Sequence, residues 1–97
     1  MHITPSEIQQ ALNEADIEGL LSEGASRDEY LAEAHSIAER ISLNERNDVP
    51  AEELISIVSQ VWDRYFGPFS ATELEARATG FLRVASALQK MHSVAAS

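Results

Sequence analysis

The chain has ninety-seven residues, seven basic and sixteen acidic, a net charge of −9 and no cysteine, which describes one small acidic domain. The lack of cysteine excludes a disulfide scaffold and a thiolate metal centre. No apolar run approaches the ~20 residues of a membrane span, and the first residues lack the basic-then-apolar pattern of a secretory signal, so a cytoplasmic protein is expected.

The charge is unevenly placed. Residues 1–53 carry thirteen acidic and three basic side chains, whereas residues 54–97 carry three acidic and four basic ones. A field of this sign disfavours nucleic acid and anionic membranes. It speeds encounter with a basic partner, and it also serves simply to keep a small protein in solution.

Helix 1 opens on Ile3-Thr4-Pro5-Ser6-Glu7-Ile8, a capping-box pattern. The hydroxyl of the cap accepts from the third helical amide, the glutamate reaches back, and the flanking apolar pair staples the entering chain. Pro5 suits the first turn. Ile8, Ala11, Leu12 and Ala15 share one face. Ile17 is half a turn out of phase with Ile8, so the helix is expected to end or bend near Asp16. Residues 16–24, bracketed by Gly19 and Gly24, read as a structured loop pinned by Leu20 and Leu21.

Ala25-Ser26-Arg27-Asp28-Glu29-Tyr30 repeats the capping pattern and predicts helix 2 from Arg27 to about Ser42, with Tyr30, Ala34, Ile37 and Ile41 facing the core. A polar stretch, residues 44–48, leads to Pro50, which opens helix 3. Leu54, Val58, Val61 and Tyr65 lie on one line of that helix, with Ile55, Ile57 and Trp62 beside it. So wide an apolar arc predicts a central helix with Trp62 and Tyr65 pointing inward. Gly67-Pro68 ends it. Phe69-Ser70-Ala71-Thr72-Glu73-Leu74 is the third capping pattern and starts helix 4, which runs to about Met91 on a stripe of Leu74, Ala78, Phe81, Ala85 and Leu88. Gly80 interrupts that helix, allowing either the close approach of a loop or a mild kink, and residues 93–97 are expected to fray. The fold class is therefore all-α: one small four-helix, bundle-like domain over residues 1–97 with a structured loop after helix 1.

Chemistry-bearing patterns are sparse. Asp16, Glu18, Glu23 and Asp28 suggest a calcium loop, but with Asp16 at position 1 of an EF-hand the obligatory glycine is Leu21 and the final ligand is Arg27. His2, His35 and His92 have no partner at metal-binding spacing. No nucleophile elbow, phosphate loop or dinucleotide fingerprint is present, so no metal, cofactor or catalytic residue is assigned and the chain is not expected to be an enzyme. Four of six aromatic residues, Trp62, Tyr65, Phe66 and Phe69, lie within eight positions. They form a core corner, and Tyr65 and Phe66 are also candidate interface anchors.

Several of these pieces resemble an uncharacterised family of small bacterial all-α domains. Ala15-Asp16-Ile17 with Gly19 stands where that family has a Trp-Asp-Pro-type loop, Asp28-Glu29-Tyr30 where it opens a helix, Tyr65-Phe66-Gly67 at its aromatic-Phe-Gly step, and Phe81-Leu82 to Leu88 in its Ala-rich last helix. The resemblance implies a fold and no activity.

The expected function is that of a non-enzymatic protein-binding module, in one version an immunity-type inhibitor of a basic partner. Asp16, Glu18, Glu23, Asp28 and Glu29 would form its docking face, with Tyr65 and Phe66 as anchors. The alternatives are a self-associating structural domain, such as a homodimer, and a small ligand-binding or catalytic domain.

Overall fold

The computed structural model describes residues 3–26, 28–43 and 49–96, with the backbone alone for residues 92–96. Four helices follow in order: α1 (Pro5–Ala15), α2 (Leu31–Ser42), α3 (Ala51–Phe66) and α4 (Ala71–Ala96). The described residues hold four helices and no strand, which is the all-α four-helix architecture expected of the sequence.

Each helix packs on its two sequence neighbours, and α4 closes the ring onto α1. Neighbouring helices run antiparallel. On the α2–α3 face, Ser36 bonds Tyr65 while Arg40 bonds Gln60, so rising α2 numbers meet falling α3 numbers. Helix α3 is packed on two sides, by α2 and α4, as its wide apolar arc predicts, but α1, α2 and α4 each have two neighbours as well, so α3 is not more central than the others. The core is Ile8, Ala11 and Leu12 of α1, Ala34, Ile37 and Ile41 of α2, Leu54, Val58, Val61 and Trp62 of α3, and Phe81, Val84, Ala85 and Leu88 of α4, joined by Ile3, Tyr30 and Val49.

Two of the three predicted capping boxes are formed. Glu7 N donates to Thr4 Oγ1 at 3.2 Å while Thr4 N donates to Glu7 Oε1 at 3.0 Å. Ser70 and Glu73 make the same exchange, both bonds at 3.2 Å. The middle box is absent. Ser26 Oγ accepts from Asp28 N, and Glu29 N donates to the Ser26 carbonyl. The backbone thus turns through i→i+3 bonds and becomes α-helical only at Leu31, four residues later than predicted, with Tyr30 as the cap. The reason is tertiary. Tyr30 is fully buried and its hydroxyl donates to Asp16 at 2.7 Å, which fixes the approach to α2 by an anchor outside the helix.

Helix α4 departs from its predicted stripe. Phe81, Ala85 and Leu88 are buried as expected, but Leu74 is 38% exposed and Ala78 is exposed too; beside the stripe, Leu82 is 51% exposed while Val84 is buried. A helix of 26 residues is about 39 Å long, against about 16 Å for the 11 residues of α1, so α1 cannot cover its whole length. Helix α4 also continues to Ala96, past the end predicted near Met91 and through residues 93–96 of the expected frayed tail.

Candidate functional site

Residues 16–30 connect α1 to α2 and hold all five acids of the expected docking face. Asp16 ends α1. Its backbone is left-handed (φ 43°, ψ 53°), a conformation that asparagine and aspartate tolerate better than most residues, and its amide still bonds the Leu12 carbonyl. Its carboxylate is turned back into the loop, where it accepts from the Leu21 amide at 3.1 Å, the Ser22 amide at 3.0 Å and the Tyr30 hydroxyl at 2.7 Å. Burial works against the charge, yet these donors outweigh it and hold the Asp16 carboxyl below its usual range. Burial, aided by the same contact, pushes the Tyr30 phenol well above its usual value.

Glu18 is turned inward as well. Arg77 of α4 grips it in a bidentate pair, Nε to Oε2 at 2.7 Å and Nη2 to Oε1 at 2.9 Å, and the Trp62 indole N–H donates to Oε2 at 2.8 Å. Arg77, which opposes the cost of burial, holds the Glu18 carboxyl below the ordinary carboxylate range, and Glu18 in turn raises Arg77. Around this node the loop meets α4 closely. A side chain at Gly80 would put its Cβ 2.7 Å from Ile17 Cγ1, so the glycine is where the loop and helix touch. Arg77 also lies 4.4 Å over the Phe69 ring.

The remaining three acids, Glu23, Asp28 and Glu29, are exposed. Asp28 receives the Gln9 side-chain amide at 3.4 Å, which ties the returning loop to the outer side of α1. The five predicted docking acids are thus divided: Asp16 and Glu18 are committed to internal donors, whereas Glu23, Asp28 and Glu29 present carboxylates to solvent. Glu14, not among the five, is exposed on α1 beside them.

The two aromatic candidates are divided too. Phe66 packs on Trp62 at 4.9 Å between ring centroids and on Tyr30 at 6.4 Å, so it belongs to the core stack. Tyr65, predicted to point inward, is 43% exposed, with its hydroxyl on Ser36 at 2.8 Å. It lies in the last turn of α3, on the solvent side of the α2–α3 pair, against Ser36 of α2. Because α2 and α3 are antiparallel, this end of α3 is also where α2 begins, close after Glu29.

Trp62 is fully buried, as the sequence leads one to expect. Sequence reading missed Arg77, since nothing in the spacing of residues 18 and 77 links them. Val49 was missed as a core residue, although a signal exists. It stands directly before the Pro50 cap, in the staple position toward Leu54, and both are fully buried. Among the described residues no group of three or more His, Asp or Glu is placed to hold a metal ion, and no helix is long and apolar enough to cross a membrane.

Compared with known proteins, the chain matches no family model, no curated protein and no solved structure at a significant level.

Proposed function

We propose that this chain is a non-enzymatic protein-binding module that docks a partner with a net basic contact surface, as an immunity-type inhibitor does. The observation that carries the reading is the division of its acids. Asp16 and Glu18 hold the loop in place from within, and Glu14, Glu23, Asp28 and Glu29 are left at the surface of that held loop and the adjoining end of α1. A charged face on a pinned loop loses little conformational freedom on binding, so its carboxylates can accept charge-assisted bonds from arginine or lysine at low entropic cost. Tyr65, exposed at the same end of the α2–α3 pair, supplies an aromatic contact; Phe66 supports it from the core.

The test begins with a partner captured without bias from the native host and then measured as a purified pair. Association should slow as salt rises, and Glu23→Gln with Glu29→Gln should lower the on-rate more than they raise the off-rate. A partner whose contact surface is acidic or apolar, with an on-rate indifferent to salt, would make the acidic half a solubilising surface only.

A further inference from the structure

The loop that returns from α1 to α2 leaves a groove along the outer side of α1. It is open, has a volume of about 690 Å³, and is lined by Gln9, Gln10, Asn13 and Glu14 on the helix and by Leu21 and Ala25 on the loop. Gln9 reaches across one edge of it to Asp28. We propose that this groove is the docking site for an extended, arginine- or lysine-bearing segment of the partner protein. The proposal rests on the binding-module reading above and gives it a location.

Three features of the groove select that occupant. First, its helix wall is a row of side-chain amides. That of Gln10, which is exposed, offers both a donor and an acceptor, the pair that an extended peptide backbone also presents. Second, its charged groups are of one sign. Glu14 lines it and Asp28 closes an edge, while among the described residues no lysine or arginine lines it, so a basic segment is complementary and an anionic one is repelled. Third, Leu21 and Ala25 give an apolar wall on which the aliphatic stem of an arginine or lysine can lie while its head reaches a carboxylate. The lining positions from Ser6 to Glu14 span roughly 12 Å of helix, enough for about three residues of extended chain. The loop wall is held by the Asp16 bonds to Leu21 and Ser22, so the groove is formed before anything binds.

Three capped peptides of equal length serve as probes in a nuclear magnetic resonance titration of the full chain at physiological salt: alternating arginine and alanine, glutamine and alanine, and glutamate and alanine. The arginine peptide should shift the side-chain amides of Gln9, Gln10 and Asn13 and the backbone amides of Leu21 and Ala25, and the other two should not. Glu14→Lys should weaken it about tenfold or more, the worth of one charge-assisted bond. Glu52→Lys makes the same change in net charge on the exposed side of α3, away from the groove, and should weaken it less than about threefold. Both positions are exposed, and circular dichroism checks that both variants fold.

Equal losses in the two variants would assign binding to the overall field and overturn the groove. Shifts mapping elsewhere, equal binding of the glutamine peptide, or no binding at all would overturn it as well. If a natural partner binds in a salt-dependent way through Glu23 and Glu29 while Glu14→Lys has no effect, the groove falls and the module reading stands. If the arginine peptide binds the groove but the natural partner is acidic and insensitive to salt, the module reading falls instead.

Discussion

The indole N–H of Trp62 meets the carboxylate of Glu18, and that single contact ties forty-four residues of chain into one closed loop. Without it, a fully buried donor would be stranded, at a cost of about 1–3 kcal/mol. Glu18→Gln removes the charge that Arg77 grips. The expected loss is about 2 kcal/mol, below the ~3–5 kcal/mol of breaking a fully buried pair, because Arg77 is itself 23% exposed. Chemical denaturation measures it, and Trp62 fluorescence should shift to the red in the variant. An unchanged midpoint would mean that Arg77 and Trp62 find other partners. Glu33 is the opposite case. It is only 6% exposed, one of its carboxylate oxygens has no hydrogen-bond partner, and burial, aided by the negative charge of Glu29, raises its carboxyl above the ordinary value. Replacing an unsatisfied buried polar group by an apolar one of similar shape removes its desolvation cost, so Glu33→Met should stabilise the fold by about 1 kcal/mol at neutral pH. A loss of stability in thermal unfolding would show that the carboxylate is held by a donor after all.

At the scale of the elements, local signals prevail where nothing else anchors the chain. Thr4 and Ser70 cap free helix starts, so Ser70→Ala should cost about 0.5–2 kcal/mol. Ser26→Ala should cost far less, since the Ser26 hydroxyl accepts from Asp28 N within a turn and α2 starts only at Leu31. Urea titrations of the two variants compare them directly, and equal losses would restore the middle box. The α3–α4 corner is fixed by Asp63, which accepts from Gly67 N through its carbonyl at 2.9 Å and from Phe69 N through its carboxylate at 3.1 Å. A Cβ at Gly67 would run into that same Asp63 carbonyl. At Gly80 helix propensity and packing pull in opposite directions. Alanine is better than glycine inside a helix by about 1 kcal/mol, but its Cβ would meet Ile17 at 2.7 Å. Overpacking of this kind costs about 1–3 kcal/mol, so Gly80→Ala should be destabilising, and pairing it with Ile17→Ala should restore part of the loss. Stabilisation by the single change would show that Ile17 moves aside freely.

At the scale of the whole molecule, stability should follow the two kinds of buried carboxyl. Asp16 and Glu18 have lowered pKa values in the fold, so the unfolded chain binds more protons than the folded one as pH falls through the acid range. Their contribution is complete above the unfolded carboxylate value of about 4 and is lost as pH drops through the folded values. Glu33 has the opposite sign. The folded state prefers it neutral, so its contribution declines as pH rises from the unfolded value through the raised one. Melting temperature against pH should therefore climb steeply from the acid side and then flatten. In Glu18→Gln the acid slope should be shallower; an unchanged slope would place the acid-sensitive groups elsewhere. The same internal pairing shapes the outward field. Of the thirteen acids in residues 1–53, Glu18 is neutralised by Arg77 from the second half, so the two halves of the sequence are not two halves of the surface.

Four helices, three of their starts to within a residue, most of the core, the break at Asp16 and the burial of Trp62 are legible in the residues alone. Each depends on residues within one turn of each other or on a period of 3.6, and such interactions are written locally. The late start of α2, the exposure of Tyr65, Leu74, Ala78 and Leu82, and which acids face outward come instead from contacts between distant parts of the chain. Those outcomes depend on which element ends first and which distant donor arrives. Arg77 reaches Glu18 across fifty-nine residues, and Tyr30 reaches Asp16 across fourteen, so a carboxylate's direction is set by a partner that no local pattern names. The amide-lined groove was illegible for the same reason: Gln9, Gln10 and Asn13 read as an ordinary polar helix face until Leu21 and Ala25 fold back beside them.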